Sequence, residues 1–242
     1  LKNGCVVMPD EKNEVSERAV LLAWDTCTEA GIIAVGRSGV LEAETRFETA
    51  RGGAHQLMPF VDSTLDELGI IPEDIGALAV GLGPGGFTGV KVSVATGKAL
   101  ARALDVPLVG IPTLDLLAAH APEGDGPVIA CMDARRGFVY ATGYTRGGSL
   151  LKRATGYTCV SPEETGHIAA GLGHGRVTAV GYVPDSIVSA ASSAGVEVEA
   201  LADADVGFPM GRALLARAFA MIESGLCGNA FSIVPIYLKK EL

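Results

Sequence analysis

Two stretches hold the residue types best suited to chemistry: Asp25-Thr26-Cys27-Thr28, and the run Gly81-Leu-Gly-Pro-Gly-Gly-Phe-Thr-Gly89. A short apolar run, Ile75–Val80, precedes the glycines. Val90–Leu104 follows them, with Val90, Val94, Leu100, Ala101 and Leu104 at helical spacing. Strand, glycine loop and helix form a junction at which unpaired N–H groups and the positive end of a helix dipole hold an anion, most often a phosphate. Gly83, Gly85, Gly86 and Thr88 are the loop residues placed to do so, with Gly85 or Gly86 expected at positive φ. Gly81-x-Gly83-x-x-Gly86 formally matches a dinucleotide fingerprint, but Asp105, the only acid at the right distance, precedes the next strand instead of following it. Gly89-Val90-Lys91 does not supply the Gly-Lys-Ser/Thr of a Walker A loop. A tight turn with no ligand satisfies the same spacing.

Asp25 and Asp133 each end an apolar run. A carboxylate so placed either holds magnesium beside phosphate oxygens or caps its own turn by accepting a backbone N–H. Asp133 is read as a turn cap, and both roles stay open for Asp25. Gly171-Leu-Gly-His-Gly175 is a helix end and turn, so the second half has no match to the 81–89 loop. His55, His120, His167 and His174 form no i, i+4 pair, and no clustered metal-ligand set is present in the sequence. The expectation is no catalytic residue, no metal and no stably bound cofactor.

The chain is long enough for one large domain or two small ones. Its 242 residues are 48% hydrophobic but only 5% aromatic, so the core must be built of Ala, Val, Leu and Ile. A formal net charge of −9 disfavours nucleic-acid binding by this chain alone, which calls for a basic patch. The five cysteines, Cys5, Cys27, Cys131, Cys159 and Cys227, lack any C-x-x-C pair and read as reduced thiols of a cytoplasmic protein. No apolar run nears the ~18 residues of a membrane span. Residues 1–18 are read as a disordered tail, not a signal peptide.

The elements that must position these residues repeat. Strands are expected over Ala19–Trp24, Ile32–Val35 and Val40–Phe47. A helix with the stripe Leu57, Phe60, Val61, Leu65 and Leu68 follows, and Pro59 requires it to start nearby or kink. Then come Ile75–Val80, the glycine loop and its helix, Val106–Ile111, and a short helix capped by Thr113. Ala121–Pro127, dense in Pro and Gly, is the expected boundary between domains 19–121 and 128–242. The second half has strands over Val128–Met132, Phe138–Tyr144 and Leu150–Tyr157, then a helix opening Ser161-Pro-Glu-Glu. A strand at Val177–Gly181, a helix near Pro184–Ala194 and a strand at Val196–Leu201 complete it. A final helix, Arg212–Glu223, is free to pack back on the first domain, and Phe231–Leu238 is a last extended stretch. The fold class is α/β, two βββαβα-type halves with mixed sheets. The order resembles the duplicated actin-like ATPase (ASKHA, RNase H-like) fold.

The glycine-loop helix carries Val92, Ala95, Ala99, Leu100 and Ala103 away from its main stripe, with Ser93 and Gly97 adding to its smallness. A helix apolar nearly all round is buried on two sides. One side is the sheet; the other is its own helix at 57–68 or a second chain.

Six motifs occur in order: Asp25-Thr26-x-Thr28, His55-x-Leu57-x-Pro59, Gly83-Pro-Gly-Gly-Phe-Thr-Gly-Val-Lys91, Gly110-Ile-Pro-Thr-Leu114, Asp133-Ala-Arg-Arg-Gly137 and Pro235-Ile-Tyr-Leu-Lys239. Together they resemble the TsaB (YeaZ) family of the bacterial machinery that makes threonylcarbamoyladenosine in tRNA, over about Val20 to Lys240. Gly86 stands where that family usually has Ser and Phe138 where it usually has Glu; Lys91 and Lys239 replace Arg. The resemblance implies a non-enzymatic scaffold subunit. Its implied partners are a TsaD-type catalytic subunit, a TsaE-type ATPase, tRNA through the complex, and a second copy as a homodimer when alone.

It also implies pairing through the helices near 57–68 and 88–104, with His55, Met58, Asp62, Leu65, Ser93, Gly97 and Ala101 at the interface. Asp25, Thr26, Gly83, Gly85, Gly86 and Thr88 are the nucleotide or anion residues it implies, with ATP or ADP at the subunit interface. The catalytic relative holds metal through a His-x-x-x-His pair, and Thr113 and Leu117 occupy those places here. The rival readings are an ATP-dependent small-molecule kinase of the same fold, which lacks its second phosphate loop, and a metallopeptidase, which lacks paired ligands.

Overall fold

The computed structural model describes residues 19–49, 54–124, 126–147, 150–173, 175–202, 211–228 and 230–239. The expected tail, 1–18, lies outside them, as do His174 and the side of the linker at residue 125. The described chain packs as two units. One holds residues 19–82, 86–111 and 211–235; the other holds 83–85, 112–202 and 236–239.

The first unit is built on a five-stranded sheet. Strands β1 (Val20–Asp25), β2 (Ala30–Arg37) and β3 (Val40–Glu48) form an antiparallel meander; β4 (Ile75–Gly81) and β5 (Leu108–Ile111) add in parallel, giving the order β3-β2-β1-β4-β5. Every residue of β1 is buried, as a central strand covered on both faces must be. Period-2 alternation sends Val20, Leu22 and Trp24 into one core with Ile33, Val35, Leu78 and Val80. Helices α1 (Leu57–Glu67) and α2 (Phe87–Leu104) bring Leu57, Val61, Leu65 and Ala101 into that core. Pro59 is the third residue of α1, where its missing N–H has no intrahelical partner to lose.

The last helix, α6 (Gly211–Glu223), packs on this same sheet, with Leu214, Leu215 and Ala218 fully buried. Its first N–H, from Gly211, donates to Glu44 Oε2 at 2.7 Å. Beyond it, Gly228 and Leu108 exchange backbone hydrogen bonds at the open edge of β5, but Ile233–Lys239 form no strand.

The second unit repeats the order. Strands β6 (Val128–Arg135), β7 (Phe138–Gly147), β8 (Leu150–Arg153), β10 (Arg176–Gly181) and β11 (Glu197–Ala202) run β11-β10-β6-β7-β8. Val128, Ala130 and Met132 face α3 (Thr113–Ala118), packing with Leu114, Leu117 and Ala118. Ile129 and Cys131 face the opposite layer, α4 (Pro162–Gly171) and α5 (Asp185–Ser193). Two sheets with one strand order and mixed pairing make this the duplicated actin-like α/β fold.

Three expectations change in detail. The divide in packing does not follow Ala121–Pro127: α3 precedes that stretch but its apolar face lies on β6, so it belongs to the second unit. The strand expected over Leu150–Tyr157 breaks after Arg153, because the N–H groups of Ala154 and Thr155 both donate to Gly143 O. The chain then rejoins β7 as β9 (Thr158–Val160). Thr113 does not cap α3; Pro112 holds the N-cap position, and Thr113 is the first helical residue, its N–H donating to Gly83 O.

Candidate functional site

The turn after β1 is stitched to the start of α2. Asp25 is fully buried, and its Oδ1 accepts the Cys27 N–H at 2.6 Å. Thr26 Oγ1 donates to Gly89 O at 2.7 Å, and the Gly86 N–H donates to Cys27 O at 2.8 Å. The glycines that close approach demands are Gly81 and Gly89. A Cβ on Gly81 would sit 2.2 Å from the Asp25 carboxyl carbon, and one on Gly89 would sit 1.9 Å from Thr26 O.

Neither Gly85 nor Gly86, the two alternatives for a positive φ, adopts it: Gly86 has φ −60°, and within the loop the left-handed conformation falls to Gly83, at φ 85°. Thr88 is exposed on the first turn of α2, and no side chain caps that helix start. Asp25, Thr26, Gly86 and Thr88 thus belong to the first unit, whereas Gly83 and Gly85 group with the second.

Asp133 behaves as a turn cap: its Oδ1 accepts the Arg135 N–H at 2.7 Å. Asp25 makes the same local bond, so both carboxylates carry a turn. Thr113 and Leu117 are buried on α3, Leu117 in the apolar core under β6. His55 and His167 are exposed, and His120 Nδ1 donates to Leu116 O at 3.0 Å near the end of α3. Among the described residues no group of three or more His, Cys, Asp and Glu side chains could hold a metal ion. Cys27, Cys131 and Cys159 are buried; Cys5 lies outside the described residues.

The expected interface set divides. His55 and Asp62 are exposed and Met58 is half-buried on α1. Leu65, Ser93, Gly97 and Ala101, however, are turned inward. Ser93 Oγ donates to Gly81 O at 2.8 Å, its carbonyl accepts from Trp24 Nε1, and a Cβ on Gly97 would lie 2.5 Å from Val80 Cγ1. These small residues let α2 approach its own sheet. The face α2 leaves outward carries exposed Phe87, Thr88, Lys91, Ala95, Ala99, Arg102 and Ala103, with Val92 half-buried. Periodicity found both faces of α2 and put Ala101 in its main stripe; the interface implied by the resemblance also named Ser93, Gly97 and Ala101, which this fold turns toward its own sheet.

A polar cluster in the second unit has no counterpart in the sequence reading. Asp115 Oδ1 on α3 accepts the hydroxyls of Tyr144 at 2.7 Å and Tyr157 at 2.8 Å, and the Arg153 guanidinium lies 4.5 Å from the Tyr157 ring centre. Burial and then the adjacent Asp115 charge push both tyrosine hydroxyls well above the ordinary tyrosine range. The four residues come from a helix, two strands and a loop, so no local pattern announces them.

The family model described as TsaD, tRNA N6-adenosine threonylcarbamoyltransferase, matches residues 47–223. Against the tRNA threonylcarbamoyladenosine biosynthesis protein TsaB of Escherichia coli, the chain is 30% identical over 225 residues, covering 92% of this chain and 95% of that one. The chain belongs to the TsaB (YeaZ) family. It is also 35% identical over 133 residues to the TsaB protein of Bacillus subtilis, a match that spans 55% of this chain and 58% of that relative. The solved structure of YeaZ from Pseudomonas aeruginosa superposes with a TM-score of 0.75 at 29% identity, covering 91% of this chain and all of that one. Among the described residues no helix is long and apolar enough to cross a membrane.

Proposed function

We propose that this chain acts in threonylcarbamoyladenosine formation in tRNA as a non-catalytic subunit, one that binds and supports a TsaD-type catalytic chain in the cytoplasm. Its E. coli relative is named as a biosynthesis protein of that pathway. The observation that carries the scaffold reading is the outward face of α2, where Phe87, Val92, Ala95, Ala99 and Ala103 set apolar or small side chains at exposed or half-exposed positions. Small residues at i, i+4 and i+8 let a second helix come to roughly 8–10 Å. His55, just before α1, and Met58 and Asp62 of α1 are proposed to extend the same contact. A homodimer through this face when the partner is missing, a TsaE-type ATPase in the assembly, ATP or ADP at the subunit boundary, and tRNA reached only through the complex complete the proposal. The burial of Thr113 and Leu117 supports the non-catalytic assignment, since neither Leu nor a Thr so enclosed offers a metal the ligand set of the catalytic relative.

The test is Ala99→Arg, which adds a charge to an exposed position and leaves the core alone. The variant is expected to keep the wild-type melting temperature but lose co-elution with a TsaD-type protein on size exclusion, because the interface would have to bury an unpaired charge. Co-elution at wild-type strength would place the contact elsewhere. Threonylcarbamoyl transfer to tRNA by this chain alone, given the adenylate, would overturn the non-catalytic reading.

A further inference from the structure

After α6 the chain returns to the C-terminal end of α2 and is held there. The Gly228 N–H donates to Leu108 O at 3.1 Å, and the Leu108 N–H donates to Gly228 O at 3.4 Å, at the start of the strand that follows α2. Ala230 and Ile233 pack against the core of the first sheet. Leu226, Phe231 and Val234 stand outward, at 58%, 76% and 63% exposure. Single exposed apolar residues are ordinary, but large ones grouped on so short a stretch mark a binding surface.

Phe231 joins this stretch to the outward face of α2. The Arg102 guanidinium, exposed on the last turn of that helix, lies 5.8 Å from the Phe231 ring centre. At the other end of α2, Lys91 Nζ lies 4.0 Å from the centre of the Phe87 ring, which is 62% exposed. The face is thus bounded by two exposed phenylalanines, each with a cation over its ring, and roughly 22 Å of helix separates residues 87 and 102. The exposed residues along its middle, Ala95 and Ala99, have little apolar area to bury. A standard interface takes about 20–30 residues a side and is anchored by aromatic side chains. The α1 and α2 residues proposed above fall well short of that, and the stretch beside Phe231 adds to them. Over Phe87–Leu104, α2 also carries Lys91, Lys98 and Arg102 and no Asp or Glu. The combined surface fits an apolar groove flanked by carboxylates.

We propose that Leu226, Phe231 and Val234 extend the docking surface for the TsaD-type catalytic chain beyond α2, with Phe231 as the aromatic anchor at one end and Phe87 at the other. The assignment rests on the reading of the α2 face given above. The cations over both rings restrict the phenylalanine rotamers before binding, which lowers the ordering cost of the contact.

The experiment measures the affinity of the full chain for a TsaD-type protein by titration calorimetry, with thermal melts recorded alongside. Phe231→Ala is expected to bind roughly 10–30-fold more weakly, and Val234→Ala roughly 3–10-fold. Both should melt within about 2 °C of wild type, since neither side chain lies in the core. Val40→Ala, at a comparably exposed valine opening β3, is expected to bind like wild type. Wild-type affinity in both segment variants, while Ala99→Arg abolishes binding, would overturn this proposal alone. Equal weakening by Val40→Ala and Val234→Ala would overturn it too. Val234→Ala removes only the side-chain methyl groups and decides the question if Phe231→Ala shifts the melt. Wild-type affinity in Ala99→Arg would refute the α2 contact, and this extension of it as well.

Discussion

Gly89→Ala is the sharpest test of how the turn after β1 holds α2. The added Cβ would stand 1.9 Å from Thr26 O, a backbone atom that cannot rotate aside. An ordinary carbon–oxygen contact is roughly 3.3 Å, so the start of α2 must retreat by roughly 1.4 Å. That movement breaks the 2.7 Å bond from Thr26 Oγ1 to Gly89 O, worth about 1 kcal/mol, and strands a buried hydroxyl at a further cost of about 1–3 kcal/mol. Helix propensity returns at most about 1 kcal/mol. With the overpacking itself at about 1–3 kcal/mol, the net loss should be at least about 2 kcal/mol, or a melting temperature lower by at least roughly 4–8 °C.

Gly86→Ala is the control: φ is −60° and the nearest atom to the new Cβ is Cys27 O at 3.8 Å, so its cost should be about 1 kcal/mol or less. Gly97→Ala falls between, since the obstruction is the Val80 methyl at 2.5 Å and helix propensity offsets part of the crowding. Thermal melts followed by circular dichroism rank the three. A Gly89→Ala melt within about 2 °C of wild type, or a Gly86→Ala loss exceeding it, would refute the close-approach argument.

Two further outcomes follow from the second unit. Because the Tyr144 and Tyr157 hydroxyls are raised in the folded state, they take up protons that the unfolded chain has lost; their contribution is intact below about pH 10 and falls as pH rises beyond it. Urea midpoints should therefore drop more steeply above about pH 10 in wild type than in a Tyr144→Phe, Tyr157→Phe double variant, and parallel curves would contradict the assignment. Ser161→Ala removes the side-chain acceptor for the Glu164 N–H at the start of α4 and should cost about 1 kcal/mol, read as a melt about 2–4 °C lower; no change would mean that solvent serves the group equally well.

The succession of elements was legible because most strands are short apolar or alternating runs and each long helix a 3.6-residue stripe, patterns set by local geometry. The cap at Ser161 and the local bond of Asp133 belong to the same class, since each joins residues three or fewer positions apart. Motif spacing also sufficed for the family. What required tertiary structure was anything decided by which of two apolar surfaces a residue meets. Ser93 and Gly97 read as part of an outer face but close on Trp24, Val80 and Gly81, because a helix that must approach a sheet needs small residues on its inner side too. The same holds for the glycines: sequence marks many, and only the position of Asp25 and Thr26 singles out Gly81 and Gly89. The packing of α3 on β6 and of α6 on the first sheet, and the sharing of Asp115 by Tyr144 and Tyr157, join residues far apart in the chain. A single sequence carries the periodicity of each element but not the distance between them, so those contacts are settled only when the layers close.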